Sequence, residues 1–358
     1  ILAVLIGLLV GLAVNESVLK AVMIVKQITG QIIFFLVPLI ILGFVAPSIA
    51  RLKSNASKVL LFAFSIAYLS SVGAATFGAV VGYELIPHLH IQTASEGLKD
   101  IPPMLFNLEI PPVMSVMSAL VLAVMLGLST AWVKSEEMEL FIAANFCVLS
   151  YEGAITKQLP IFLSVLLIVI ICHYIWLTLL YVVASIYSRK NSWGVLKYYG
   201  PAYLTALGTM SSAATLGTAL TCAKKSKILR EEVIDVTVPL FANIHLCGSI
   251  LTEVFFVLTV SLILYGSMPD FTTMFVFIIL LGFFAIGAPG VPGGTVLASL
   301  GLIIAILGFD EAGTALLLTI FALQDSFGTA CNVTGDGALT LITDTFDQGQ
   351  TGKASTAL

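Results

Sequence analysis

The sequence reads MSSAAT at residues 210–215 and GAPGVPGG at residues 287–294, inside two stretches that are otherwise apolar. Both runs of small residues stand where a membrane helix would have to continue unbroken. Lipid offers no hydrogen-bond partner to a free backbone N–H or C=O group, so broken backbone at membrane depth is tolerated only where protein or a water-filled cavity surrounds it. The two runs therefore predict two re-entrant helical hairpins, at about 194–222 and 274–305, that line a cavity.

The composition is that of an integral membrane protein. The 358 residues are 59% hydrophobic and only 10% charged, whereas soluble domains carry about 25% charged residues. Long apolar runs such as residues 32–46 lack the alternation of outer-membrane strands, so we predict an all-α fold. The net charge of -4 gives no indication of a nucleic-acid partner. The chain begins at Ile1 without a charged leader, which we interpret as a shortened first helix rather than a signal peptide.

Hydropathy predicts eight transmembrane helices besides the two hairpins, because a span needs about 20 apolar residues. They are expected near 1–14, 29–50, 57–86, 112–133, 138–156, 160–188, 230–266 and 310–343. With the N-terminus in the cytoplasm, 12 of the 16 Lys and Arg residues lie on the cytoplasmic side, as the positive-inside rule requires. Both termini are then cytoplasmic, and the hairpins enter from opposite sides, as an inverted repeat would place them.

The last predicted span carries polar side chains on one helix face. They fall at i, i+4, i+7 and i+11, and are Asp325, Thr329, Asn332 and Asp336. Each carboxylate inside a membrane helix costs about 2.5–3.5 kcal/mol on insertion scales. The span offers no Lys or Arg as a partner, so we expect the face to meet a bound cation or an ammonium group. The alternative is that the carboxylates pair with other helices.

Residues 239–249, which read PLFANIHLCGS, predict an interruption in the span before it. Pro239 and Gly248 bracket a stretch that we expect to unwind and to expose carbonyl oxygens suited to a monovalent cation. His245 and Glu253 are possible proton carriers, and the alternative is a hydrogen-bonded core histidine and a buried protonated glutamate.

Small polar residues at the hairpin tips add to the predicted cavity. Ser211, Ser212 and the free N–H groups of a helix start favour a carboxylate ligand. The second tip is rich in Gly and Pro, so it either closes as a lid or forms a static kink. The adjacent hydroxyls of Ser70 and Ser71 either bind a ligand or bond back to their own helix.

Three motifs in this order are together specific: SSAATL at 211–216, GVPGG at 290–294 and NVTGD at 332–336. With them the chain resembles the dicarboxylate/amino acid:cation symporter family, which includes archaeal aspartate transporters and excitatory amino acid transporters, as a divergent member. The resemblance implies a homotrimer that works as an elevator in the plasma (bacterial inner) membrane. A scaffold, residues 1–56 and 87–159, would hold a moving transport domain made of 57–86 and 160–358.

The resemblance also implies roles for single residues. Substrate contacts would come from Ser211, Ser212, Val291, Gly293, Asp325, Gly328, Thr329 and Asn332, with Asp325 holding the substrate amino group. Sodium contacts would come from Ser70, Ser71, Phe241, Asn243, His245, Ala285, Ile286, Ala288, Asn332 and Asp336. Protons would be carried by Glu253 or His245.

The departures from the family pattern decide the expected substrate. Transporters of acidic substrates carry an Arg where Gly328 stands, and a bidentate Arg is the expected device for a second carboxylate. We therefore expect a symporter of a small neutral amino acid such as serine, threonine or alanine. The family's Asn and Asp sodium ligands are His245 and Cys247 here, so fewer Na⁺ ions, or a proton in place of one, are expected. The alternatives are an acidic or dicarboxylate substrate and an anion-conducting protein; an enzyme is not expected.

Overall fold

The computed structural model describes residues 2–25, 27–28, 57–89, 154–288 and 293–355, and this part of the chain is helical and turn structure without strands. Its labelled helices are α1 (Leu2–Ala13), α2 (Ser57–Leu85), α3 (Ala154–Ser188), α4 (Trp193–Leu196), α5 (Gly200–Thr209), α6 (Ser212–Lys224), α7 (Glu231–Ile244), α8 (Cys247–Tyr265), α9 (Phe271–Ile286), α10 (Gly294–Leu307) and α11 (Glu311–Ser355). Residues 16–25 are also helical, and Ile86–Leu89 continue α2 as a 3₁₀ turn. The helices predicted at 29–50 and 112–133, and most of that at 138–156, lie outside the described residues.

Four helical segments within the described ranges are long and apolar enough to cross a membrane. They are Lys58–Leu89, Leu163–Ser188, Glu231–Tyr265 and Ala312–Gly349. The last two are almost wholly buried inside the bundle, whereas the first two expose most of their apolar surface. Apolar side chains that face outward suit a lipid environment. The chain is therefore a multi-pass membrane protein.

Helix α8 is the centre of the bundle and packs against both α2 and α11. Small residues on α2 permit this close approach. A Cβ atom at Gly78 would lie 3.1 Å from the carbonyl oxygen of Leu251, and one at Gly82 would lie 2.7 Å from a methyl carbon of Leu258. The two glycines therefore set the distance between α2 and α8.

Helices α5 and α6 form the first helical pair, with the break where the MSSAAT run predicts it. Met210 has a left-handed backbone with a φ of 52° and ends α5. Ser211 is extended and caps α6, because its hydroxyl accepts a 3.1 Å hydrogen bond from the N–H of Ala214. Both helices of the pair pack against α11.

Helices α9 and α10 form the second helical pair and pack against each other. Asp270 caps α9 by accepting bonds from the N–H groups of Thr272 and Thr273. The Thr273 hydroxyl bonds the same carboxylate and lowers the pKa of Asp270. Gly293, with a φ of 71°, is the N-cap of α10. Residues 289–292 of the turn lie outside the described residues.

The interruption between α7 and α8 is shorter than the sequence predicts. Pro239 lies inside α7, which continues to Ile244. His245, with φ −112° and ψ 96°, ends that helix in an extended conformation, and α8 begins at Cys247. The break is therefore two residues long rather than the whole stretch from Pro239 to Gly248. Helix α11 is longer than predicted, since it runs to Ser355 rather than to residue 343.

Candidate functional site

All four polar side chains predicted on one face of α11 are buried. Their exposed fractions are 4% for Asp325 and Thr329 and 1% for Asn332 and Asp336. Asp325, Asn332 and Asp336 each bond a group from another element, whereas Thr329 lies next to Asp325 on the same helix. The four side chains thus form a buried polar row along α11, with a carboxylate at each end of the row.

The first carboxylate, Asp325, meets the tip of the second helical pair. Its Oδ2 atom accepts a 2.6 Å hydrogen bond from the backbone N–H of Gly293. The side chain of Thr329, one turn along α11, lies next to the same carboxylate. Two predicted substrate residues therefore surround a third, and the second helical pair is attached to α11 at this point.

The amide of Asn332 holds the start of α8. Its Oδ1 atom accepts from the N–H groups of Gly248 at 2.7 Å and Ser249 at 3.2 Å, and its Nδ2 atom donates to the Ser249 hydroxyl at 2.8 Å. The first N–H groups of a helix have no partner within it. Asn332 supplies that partner from another helix, and so fixes where α8 begins.

The second carboxylate, Asp336, belongs to a chain of hydrogen bonds through a histidine. The Nδ1 atom of His245 lies 2.8 Å from Asp336 Oδ1, and its Nε2 atom lies 2.9 Å from the hydroxyl oxygen of Ser70. His245 is fully buried. Three residues named as sodium contacts therefore come together, with the imidazole ring between the other two.

The remaining residues named as sodium contacts are more scattered. The carbonyl of Phe241 accepts the N–H of His245 at 2.9 Å, and Asn243 is exposed with its side chain turned back to the carbonyl of Pro239. The carbonyl of Ala285 accepts hydrogen bonds from the N–H groups of Gly287 and Ala288. Ser71 is buried, and its hydroxyl has no hydrogen-bond partner among the described residues. Ile286 ends α9, and Ala288 follows it in the turn.

The tip of the first helical pair is a network of hydroxyl groups. Ser211 and Ser212 are both buried. The carbonyl of Ser211 accepts from the hydroxyl of Thr215 at 2.8 Å, and that hydroxyl lies 3.2 Å from the hydroxyl of Thr209. These bonds stabilise the turn between α5 and α6, and the first residues of α6 therefore lie at the tip. Val291, at the other predicted tip, lies outside the described residues.

Glu253 joins α8 to α10. It is fully buried, its Oε1 atom bonds the hydroxyl of Ser299, and its Oε2 atom has no hydrogen-bond partner in the described part of the chain. The sequence pointed to Glu253 but not to Ser299, since one hydroxyl in an apolar helix is a weak signal.

His173 has a more specific position than a general core residue. Its Nε2 atom lies 3.0 Å from the carbonyl oxygen of Gly248 and 3.0 Å from the hydroxyl of Thr252. It therefore supports the first turn of α8 from α3, on which it stands. Nothing in its apolar sequence surroundings indicated this contact.

Gly328 lies against the backbone of α8. A Cβ atom at this position would be 3.2 Å from Ser249 Cα and 3.3 Å from its backbone nitrogen. A long side chain here would require α8 to move. Between residues 231 and 352 the sequence contains no Lys or Arg, so α7 to α10 bring no cationic side chain to the site.

The model of the sodium:dicarboxylate symporter family matches residues 1–147 and 140–346. Excitatory amino acid transporter 2 of Homo sapiens is 27% identical over 183 residues, which are 51% of this chain and 31% of the relative. Excitatory amino acid transporter 1 is 28% identical in Homo sapiens and 26% in Ambystoma tigrinum, over 54% of this chain and 35% of each relative. The alignments therefore span about a third of these relatives' length. Since the family model matches most of its residues, the chain belongs to the sodium:dicarboxylate symporter family.

Proposed function

We propose that the protein is a secondary active symporter that carries a small neutral amino acid, such as serine, threonine or alanine, together with a cation. The observation that carries the proposal is Asp325, a buried carboxylate that accepts a hydrogen bond from the N–H of Gly293 and lies next to Thr329, in a region without Lys or Arg. A buried carboxylate needs a compensating charge, and the ammonium group of an amino acid supplies one. Family membership supports the symporter class.

The absence of a second positive group supports a neutral substrate. An acidic amino acid brings two carboxylates, and the side-chain carboxylate would need a charged partner of its own. Gly328 stands where the family resemblance places that partner, and its contact with Ser249 leaves little room for any side chain. The backbone N–H groups at the start of α6, from Ser212 onward, would then bind the single carboxylate of a neutral amino acid.

An acidic amino acid or a dicarboxylate is the second candidate substrate. It is favoured by the family description, which names dicarboxylates, and by the relatives, which are named for excitatory amino acids. A site for such a substrate would have to take its second positive group from outside residues 231–352, which contain no Lys or Arg.

The coupling cation in this proposal is Na⁺ or H⁺. The family description names sodium, and the carbonyls near Ala285, Ile286 and Ala288 are the oxygen ligands that a hard cation prefers. Glu253 offers a carboxyl group for a proton, with Ser299 as its partner.

The wider architecture is part of the same proposal. Residues 57–86 and 160–358 would move as a transport domain, with two re-entrant hairpins at the first and second helical pairs. Residues 1–56 and 87–159 would form the scaffold of a homotrimer, with eight transmembrane helices in all. The protein would lie in the plasma membrane with both termini in the cytoplasm, without enzymatic activity and without a nucleic-acid partner.

Uptake into liposomes that contain the purified protein tests the proposal. Radiolabelled serine, threonine, alanine, aspartate, glutamate and succinate are offered under a sodium gradient, a proton gradient or neither. We expect accumulation of a neutral amino acid that requires one of the gradients. Accumulation of aspartate, glutamate or succinate instead would establish the second candidate. Downhill flux that ignores both gradients would contradict symport and indicate a conducting pore.

A further inference from the structure

The strongest unexplained feature of the site is the hydrogen-bonded chain from Ser70 through His245 to Asp336. These side chains come from α2, from the break between α7 and α8, and from α11. Their exposed fractions are 8%, 0% and 1%. A buried polar chain assembled from three elements is a built structure rather than a chance contact of surface groups.

The ring of His245 is enclosed as well as hydrogen-bonded. Its Cε1 atom would lie 2.9 Å from a Cβ atom at Gly335, so the missing side chain there makes the space for the ring. Phe241 presents its ring at a centroid distance of 6.4 Å and an angle of 72°. The position and tilt of the imidazole are therefore fixed from several sides.

This arrangement does not fit a sodium ion bound by Ser70 and Asp336. A hard cation takes oxygen ligands, and one such as Ca²⁺ holds them at about 2.3–2.6 Å. Here the two oxygens bond to the two different nitrogens of one ring, which lies between them. They are too far apart to contact one ion. A neutral imidazole donates at one nitrogen and accepts at the other, and a protonated one donates at both, so the ring can make both contacts in either protonation state.

We propose that the His245 imidazole permanently occupies the place of a cation between Ser70 and Asp336, so that Asp336 does not bind sodium in this protein. The inference concerns the cation site of the symporter and rests on the proposed function for its meaning in transport. Sodium, if it couples transport, then binds elsewhere in the protein.

The test is the effect of sodium on the thermal unfolding of the purified full chain in detergent. A ligand that binds the folded state raises the unfolding midpoint, and the rise grows with the logarithm of the ligand concentration once that exceeds the Kd. Unfolding is measured in sodium chloride and in choline chloride of equal ionic strength. The variants are Asp336→Asn, His245→Asn and the double variant, with direct binding of radioactive sodium as a second readout.

We expect the wild type and Asp336→Asn to show the same response to sodium, whether that response is nil or arises at another site. We expect His245→Asn, which removes the ring and leaves an amide oxygen, to gain a sodium-dependent rise of about 2 °C or more. The double variant should lose this gain. His173→Asn is the matched control, because it also removes a buried ring beside α8, and it should gain nothing.

A sodium-dependent rise in the wild type that Asp336→Asn abolishes would overturn the proposal. A folded His245→Asn variant without any gain in sodium response would also count against it. Should His245→Asn fail to fold, the comparison of wild type with Asp336→Asn still decides the matter. The readouts are sodium binding and unfolding rather than uptake, so failure of this proposal is distinguishable from failure of the proposed function.

Discussion

The backbone N–H of Gly293 donates a 2.6 Å hydrogen bond to Oδ2 of Asp325. Gly293 is the N-cap of α10 and Asp325 lies within α11, so a single bond connects the tip of the second helical pair to the polar face. The carboxylate that we assign to the substrate ammonium is thus also what the tip rests on. Under the proposed function, binding of substrate and the position of the tip would be coupled through this one side chain.

Asp325→Asn should lower uptake of the substrate by about 10- to 100-fold, because it removes a charge-assisted hydrogen bond of about 1.5–3 kcal/mol. Initial uptake rates in liposomes measure the loss. Ser326→Ala is the matched control, since Ser326 is the next buried residue of the same helix and has no assigned role. Unchanged uptake by Asp325→Asn would remove the ammonium assignment.

Gly293→Ala should reduce transport through the backbone rather than through a clash. Gly293 has a φ of 71°, and a Cβ atom added to it would meet nothing within 4 Å. An L-residue in this conformation costs about 1–2 kcal/mol. Relief of that strain would turn the N–H group away from Asp325. We expect slower uptake and a lower unfolding midpoint.

Gly308→Ala provides the comparison, because Gly308 has a φ of 70°, has equally open surroundings and lies at the other end of α10. It should lose the same stability and keep its uptake rate. Equal loss of uptake in both variants would show that strain in α10, and not the bond to Asp325, limits transport.

The polar face of α11 was predictable because the residues that form it lie within one short stretch of sequence. Helical spacing alone places Asp325, Thr329, Asn332 and Asp336 in one row. The breaks at residues 210 and 293 were equally local, since runs of small residues mark them in the sequence. The positions of the first helical pair and of α10 follow from the same signals.

The contacts across the bundle were not predictable in this way. Ser70 and His245 are 175 residues apart, and no pattern in either segment refers to the other. The break before α8 was expected to begin at Pro239, but α7 continues to Ile244. A contact from another helix determines where α8 starts. Asn332 satisfies the N–H groups of Gly248 and Ser249, and α8 therefore starts there.

Gly328→Ala should destabilise the protein by about 1–3 kcal/mol, the usual cost of overpacking a core. The new methyl group would lie 3.2 Å from Ser249 Cα and would push α8 away from Asn332. Thermal unfolding in detergent measures the change. Gly217→Ala, within α6, has nothing within 4 Å of its added carbon. It should be neutral or gain about 0.5–1 kcal/mol from helix propensity. A Gly328→Ala variant as stable as the wild type would show that α8 has room for side chains here.

Asp344 joins the two ends of the segment that contains the first helical pair. Its carboxylate is fully buried and accepts from Arg230 Nε at 2.7 Å and from Lys190 Nζ at 3.3 Å. Lys190 precedes α4 and Arg230 precedes α7, so one carboxylate closes the base of residues 190–230. The cations are each 30% exposed, and water therefore compensates them in part when the carboxylate is removed.

Asp344→Asn should consequently cost about 1–3 kcal/mol, less than the about 3–5 kcal/mol of a fully buried pair. The loss should be local, so limited trypsin digestion should cut faster at Lys197 within the segment. Asp235→Asn is the control, because Asp235 pairs with Lys224 at the surface with 55% of its side chain exposed. Such pairs contribute less than about 1 kcal/mol. Faster cleavage in Asp235→Asn than in Asp344→Asn would mean that the surface pair, and not the buried carboxylate, holds the segment closed.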